Sequence, residues 1–560
     1  MGKAEAKRKK KRQPAAKSKK TRKPASQPKK KRKTSAKPAK PRKAAAQPKK
    51  KRQTAVRSKK VRKPAAKPGK TRQSAGGEQL VKIFGASRVI NDPLVLRRYA
   101  ADLSFSPAKT PAFVVRPRRA EEVKALVEWA NRTAASLVPV SSGSPHFRGD
   151  TVPGQEGGVV VDLSGMKKIL RLDRRNRVAM IEPGVTFQEL KPEVEKQGMK
   201  LMLPLAPRAT KSVIGSCLER EPILVPKYHW DMSDPLCCTE VVFGTGDLFR
   251  TGAAAGPGTL EEQWAAGQAQ KSPLGPGQTD LFRVVQGAQG TLGILTWATV
   301  RLELLPSIQK LYLAGSQKVE ELIDLVYGMQ RLKLGDECLI LNRLDLAAIL
   351  ETQPVEINKL LTGLPPYVLI FVVAGYDRFP EERVDYQTKD IMELARKHGV
   401  QPVTGLPGVD AGKLLRAISG PSAEPYWKLR PRGNCVDIFF LTTLDRTPGF
   451  IKVMGEVMEK TGFPASDLGV YLQPIQQGRS CHLEFNLAFA PDDPAGVKRA
   501  RETFDRASEA LLKQGAFFSR PYGSWPELLR RLDAESVIAL KKVKKIFDPR
   551  NVMNPGKLFF

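Results

Sequence analysis

No aromatic residue occurs before Phe84, and almost no apolar side chain larger than alanine occurs before Leu80. This stretch cannot build a hydrophobic core, because ordering each residue costs about 1–2 kcal/mol that burial would have to offset. Residues 1–77 carry 33 Lys or Arg against one acid, Glu5, and hold +32 of the chain's net charge of +39. Extreme basicity is therefore a property of the tail, and the rest of the chain is close to neutral. Whatever folds must fold from about residue 78 onward.

The tail repeats every ten residues, from KKKRQPAAKS at Lys9 to GKTRQSAGGE at Gly69. The units lack apolar residues to stack, so the period does not signal a solenoid. Residues 1–77 are expected to be disordered, spaced by proline and extended by like charge. Their composition resembles the Lys/Ala/Pro tails of linker histones. A tail of this kind releases counterions on binding a polyanion such as nucleic acid or polyphosphate, with steep salt dependence and little sequence preference. No apolar signal core and no run of about 20 apolar residues appears, which points to a cytoplasmic protein without a membrane span, with nucleoid association where the polyanion is DNA.

The remaining residues suffice for two or three domains. AFVVRP (112–117), SLVPVSS (136–142) and GGVVVDLS (157–164) predict strands, and 119–133 sets Val123, Leu126, Val127 and Ala130 at helical spacing. Residues 168–184 read as two strands about a charged turn. Thr186 and Glu189, three apart, predict a capping box at a helix start. After Pro306, helical patterns (318–333, 385–399) alternate with strands (367–376, 435–444, 481–490). This is an α+β chain. Its six cysteines, at 217, 237, 238, 338, 435 and 481, form no C-x-x-C, which fits reduced buried thiols and argues against an iron–sulfur or zinc site. No metal is expected.

Four stretches carry chemistry. VPVSSGSPHFRGD (138–150) is a strand leading into a loop of small residues, where backbone N–H groups can converge on a diphosphate or form an ordinary turn. GAQGTLGI (287–294) spaces Gly287, Gly290 and Gly293 by three and opens into a strand, so backbone there lies close to other backbone or to a flat ligand. In YLQPIQQGRSCHLEF (471–485), His482 and Glu484 share one strand face. That pair suits a proton acceptor, two metal ligands or a satisfied structural histidine. AFFSRPYGSWPEL (516–528) offers Arg520, able to grip a carboxylate or phenolate bidentately or to lie at the surface.

Taken in order, AFVVRPRRAEEVKALVEWAN, VPVSSGSPHFRGD, GGVVVDLSGMKKIL, VAMIEPGVTFQEL, SVIGS, GAQGTLGILTWATV and FDPRNVMNPGK resemble the FAD-linked oxidase superfamily of vanillyl-alcohol oxidase, p-cresol methylhydroxylase and the D-lactate and glycolate dehydrogenases, over residues 107–560. The resemblance implies a two-part FAD-binding domain with an inserted α+β cap: 78–307 for the FAD-binding domain, 308–500 for the cap, and 501–560 returning to the first domain. It implies FAD, held noncovalently, against Ser142, Gly143, Ser144, Pro145, His146 and Gly149, then Val213, Ile214, Gly215 and Ser216, then Gly287, Gly290, Gly293 and Ile294, with Asn554 and Lys557 in the terminal signature. Three positions depart from the family pattern. Ser144 and Pro145 stand where it has glycine followed by Ser, Thr or His, Ser216 replaces the second glycine of I-G-G, and His146 is one place from the usual loop histidine.

The implied activity is hydride transfer from a small anionic hydroxy acid or phenol to flavin. Arg520 would hold the anion, with His482 (paired with Glu484) or Tyr471 assisting deprotonation. With no iron–sulfur motif, electrons must pass to oxygen, a quinone or a separate electron-transfer protein. The competing reading is a polyanion-binding protein whose flavin fold has lost catalysis, motivated by the departures at 144, 145 and 216.

Overall fold

The computed structural model describes residues 70–229, 234–275, 280–532 and 534–560. The repeats before Lys70, and the disorder expected of them, lie outside the described residues. Helix Lys70–Phe84 starts inside the last repeat and buries Leu80 and Phe84 against Val123, Leu126, Val127 and Trp129 of helix Ala120–Thr133. The folded part thus begins before residue 78, because those two apolar residues have a partner face.

Two sheets make the first domain. Strands Phe113–Val115, Val159–Asp162 and Leu137–Val140 run parallel, with Val89–Ile90 antiparallel at one edge. Strand Gly293–Leu304 is the spine of a second, antiparallel sheet, pairing with Val178–Ile181 and Leu236–Phe243 and, further along, with Met199–Leu201. The capping box forms as expected: the Thr186 hydroxyl accepts from the Glu189 N–H at 3.3 Å, and the Glu189 carboxylate accepts from the Thr186 N–H at 3.0 Å.

The second domain is a six-stranded antiparallel sheet ordered Ile308–Ser316, Tyr367–Gly375, Cys338–Asn342, Leu468–Ile475, Ser480–Phe489, Asn434–Thr442. Strand Tyr367–Gly375 reads as one apolar run because both its faces are covered. Leu369, Phe371 and Val373 join the core under helices Glu320–Leu332, Pro380–Lys397 and Thr447–Thr461, whereas Val368, Ile370 and Val372 join the core under helices Arg343–Leu350 and Ala411–Ile418. At the other end of the sheet the same alternation sends Cys481, Leu483 and Phe485 into the first core. His482 and Glu484 therefore point to the opposite face.

The chain leaves the cap later than the sequence suggests. Helix Pro494–Lys513 puts Ala500, Ala507 and Leu511 into the cap core, and Trp525 stacks on Phe504 with centroids 5.7 Å apart. Return to the first domain comes with helix Ala534–Phe547 and the terminal signature. There Asp548 accepts from the Val552 and Met553 N–H groups at 3.0 and 2.8 Å and pairs with the buried Lys544 at 2.5 Å. Leu137 N–H donates to the Val552 carbonyl and the Leu137 carbonyl accepts from Asn554 N–H, both at 2.8 Å, in a bridge centred on Met553. All six cysteines are free and buried.

Candidate active site

A cavity open at its mouth runs from the first-domain loops to the polar end of the cap sheet. Ser142, His146, Ile214, Gly215, Gly290, Gly293 and Ile294 line its first-domain end, and Tyr471, His482, Glu484 and Arg520 line the cap end. One cavity thus brings these two groups of sequence-selected residues together. Gly143, Ser144, Pro145, Gly149, Val213, Ser216, Gly287, Asn554 and Lys557 are not on its wall. Several of these hold the wall in place. Gly143 N–H bonds the Thr210 carbonyl at 3.0 Å, Gly287 N–H bonds the Leu218 carbonyl at 2.8 Å, and Val213 packs in the first-domain core. The Asn554 amide donates to the Asp150 and Gln289 carbonyls at 2.9 and 2.7 Å, joining the two loops, and the Lys557 ammonium donates to the Gly149 carbonyl at 2.6 Å.

Two of the three glycines on the wall are sterically required. Gly290 has φ +68°, and a Cβ there would stand 2.4 Å from Pro139 Cγ; at Gly293 it would stand 2.6 Å from the Val242 carbonyl oxygen. Gly290→Ala should therefore displace the loop and weaken FAD binding by about tenfold or more, read by fluorescence titration of the apoprotein, with Gly287→Ala (φ +69°, no heavy atom within 4 Å of the added Cβ) as a milder control.

Charged side chains surround this cradle, and the sequence reading missed them. Glu219 takes Lys211 at 2.6 Å and also Arg148. Glu221 lies 3.3 Å from Lys211 and 3.6 Å from Arg148 and accepts from the Ser216 hydroxyl at 2.5 Å. Burial raises its carboxyl pKa, but Lys211 and Arg148 outweigh that and bring it to about 2. Arg208 donates to the Gly143 carbonyl at 2.8 Å. Set against Glu219 and Glu221, the cations Arg148, Arg208 and Lys211 leave one net positive charge beside the small-residue loops, which suits a diphosphate.

At the cap end the polar groups form a chain. Arg520 donates to the Glu219 and Arg220 carbonyls at 2.8 and 3.0 Å and to His482 Nδ1 at 3.2 Å. A guanidinium only donates, so Nδ1 is the acceptor and the ring proton sits on Nε2, 3.1 Å from Glu484 Oε2. Glu484 Oε1 takes Lys428 Nζ at 2.6 Å, and Lys428 reaches Asp437 at 2.8 Å. Phe439 and Tyr471 flank Glu484 in register on the neighbouring strands. Burial lowers His482 to about 4, so it is neutral at pH 7 with both nitrogens engaged. The Tyr471 hydroxyl donates to Gln473 at 2.9 Å, and burial and the Glu484 charge push its pKa well above the usual value. Neither group is placed to accept a substrate proton.

The FAD binding domain family matches residues 111–252, and the C-terminal domain family of FAD linked oxidases matches residues 443–558. The chain belongs to the FAD-linked oxidase superfamily. FAD is its cofactor, and it is an FAD-linked oxidoreductase. Relatives within this superfamily include the mitochondrial D-lactate dehydrogenase (cytochrome) of Arabidopsis thaliana, 24% identical over 80% of this chain and 73% of that one. A glycolate oxidase subunit of Bacillus subtilis is 24% identical over 86% and 96%. The 4-cresol dehydrogenase (hydroxylating) flavoprotein subunit of Pseudomonas putida is 23% identical over 80% and 88%. Among solved structures, substrate-bound p-cresol methylhydroxylase superposes with a TM-score of 0.74 at 19% identity, covering 88% of this chain and 98% of that one. The FAD-linked oxidase fold, with its PCMH-type FAD-binding domain, is the fold of this chain. Among the described residues no helix is long and apolar enough to cross a membrane.

One acid on this wall, Asp150, is pushed up to about 6 by burial and by the Glu219 and Asp102 charges. The pH profile of kcat/KM should therefore bend near 6 and lose that bend in Asp150→Asn, with no limb near 6.5 from His482. A profile unchanged by Asp150→Asn would assign the bend elsewhere.

Proposed function

We propose that the enzyme oxidises a small anionic hydroxy acid or phenol by transferring a hydride from its C–H bond to FAD. The carrying observation is Arg520: three of its five N–H donors are spent on Glu219, Arg220 and His482, which leaves two for a substrate oxygen inside the cavity. When bound, FAD supplies the two-electron acceptor. Arg520 holds the substrate anion, and burial together with Arg148 lowers its pKa to about 10, so it stays charged at neutral pH and gains from an added negative partner. His482 is then a positioning residue: it accepts from Arg520 while Glu484 and Lys428 fix its tautomer. Asp150 is the acid we assign to proton acceptance. Phe439 stacks beneath both Arg520 and Arg148, 4.4 and 4.9 Å from their guanidinium carbons, and helps keep water out.

In this proposal the first domain cradles FAD, the cap supplies the substrate-side residues, and a basic tail tethers the enzyme to a polyanion. The tether rests on the +32 charge of residues 1–77. Electrons are passed to a separate redox partner; one relative carries cytochrome in its name.

The test is the visible spectrum of the purified chain, followed by anaerobic bleaching. A yellow protein that releases its colour on acid precipitation supports noncovalent FAD. Bleaching by 2-hydroxy acids or phenols, and not by neutral alcohols of similar size, supports the substrate class. Bleaching by neutral alcohols alone would overturn the role given to Arg520.

A further inference from the structure

Helix Ala534–Phe547 leaves most of its large apolar side chains outside, although Phe547 is half-buried against Phe243. Its buried positions are Val537 and Lys544. The Lys544 ammonium is used up inside, on Asp548 at 2.5 Å, on the Met553 carbonyl at 2.9 Å and on the Thr291 carbonyl. This interior strut fixes the rotation of the helix. Ile538 and Ile546 are then forced outward, 49% and 67% exposed, with Val543 at 36% flanking Ile546. Positions 538, 541, 542, 545 and 546 follow the i, i+3, i+4, i+7, i+8 spacing of one helix face, so Lys541, Lys542 and Lys545, all exposed, share the stripe with the two isoleucines.

We propose that this face docks on an anionic lipid bilayer, holding the enzyme at the membrane surface without spanning it. Charge selects an acidic partner, and the apolar residues choose among acidic partners. A nucleic acid or polyphosphate rewards the lysines and leaves exposed isoleucines in water. A second copy of the chain would bring three lysines against three lysines across a two-fold axis. A bilayer interface accepts both kinds of side chain, with the two isoleucines and Val543 entering the acyl boundary and the lysine stems carrying their ammonium groups up to the lipid phosphates. Only Glu535 within the helix opposes this charge. The +32 tail adds attraction to the same surface. The proposal stands apart from the substrate reading and names the acidic surface that the tether meets.

The measurement is cosedimentation of the full-length, FAD-loaded protein with vesicles of phosphatidylcholine alone or with about one third phosphatidylglycerol. The parent is compared with the Ile538→Gln/Ile546→Gln variant, which removes apolar surface and leaves every charge in place. Partition onto the acidic vesicles should fall by about tenfold or more in the variant, with flavin absorbance unchanged. A polarity-sensitive dye on Lys542→Cys, selective because the native thiols are all buried, should shift to the blue on acidic vesicles and not on neutral ones. Equal partition of variant and parent would overturn the proposal, since the tail alone would then account for binding. So would an unshifted dye, or a dimeric parent that the glutamines turn into a monomer.

Discussion

Replacing Arg520 by Gln is expected to lower kcat/KM for an anionic substrate by about 10²–10³-fold, the equivalent of about 2.7–4 kcal/mol, while the flavin spectrum is retained. The size follows from burial. Arg520 sits under the cap with almost no exposure, so a substrate anion meeting it is desolvated on both sides and has no water to fall back on. Glutamine can still donate to a carbonyl or to His482 Nδ1, but it carries no charge. Arg520→Lys restores charge without the fork and should recover part of the loss. The distinguishing readout is substrate charge: a neutral analogue should lose little in either variant. If Arg520→Gln instead lost FAD and thermal stability together, Arg520 would be a strut joining the Glu219 and Arg220 carbonyls to the cap, and the anion would have to be held elsewhere.

What the sequence revealed and what it hid divide along one physical line. Local regularities were legible: the Thr186–Glu189 capping box, the alternation that sends His482 and Glu484 to one face, and the close approach demanded at Gly290 and Gly293. Each is decided by residues a few positions apart. The charged lining was hidden, because a chain with 95 Lys and Arg gives no reason to single out Arg148, Arg208, Lys211 or Lys428. Their significance comes from partners distant in sequence, as when Lys428 meets Glu484 or Arg148 meets Glu219. A signal did exist in LEREP (218–222), where two acids lie close to a loop read as phosphate-binding. Acids there demand buried cations, and asking where those cations were would have pointed to Arg148 and Lys211. The end of the cap was misplaced for a similar reason. The apolar spacing of 500, 507 and 511 announces a buried helix face but not which domain buries it.

Lys428→Met should be the most destabilising single substitution at the site, costing about 3–5 kcal/mol. Lys428 is buried between Asp437 at 2.8 Å and Glu484 at 2.6 Å, and without it two carboxylates share a dry site with only the weaker pull of Arg148 on Asp437. In the parent, burial raises the Glu484 pKa, but Lys428 and His482 outweigh it and hold the carboxyl well below the usual range. That contribution to stability is present above the unfolded carboxyl pKa and lost as pH falls through the folded one. Removing the lysine reverses the sign. Both carboxyls then titrate above their unfolded values, the folded state binds more protons than the unfolded one, and stability falls as pH rises. The deficit of the variant relative to the parent should therefore be smaller at pH 5 than at pH 8 in denaturant titrations. Adding Asp437→Asn and Glu484→Gln to Lys428→Met should recover much of the loss, because neutral amides remove the uncompensated charge. A deficit that does not change with pH, or a triple variant no more stable than Lys428→Met alone, would mean that Lys428 contributes by packing on Trp427, whose ring centroid lies 5.4 Å from its ammonium, and that the tautomer of His482 is set without it.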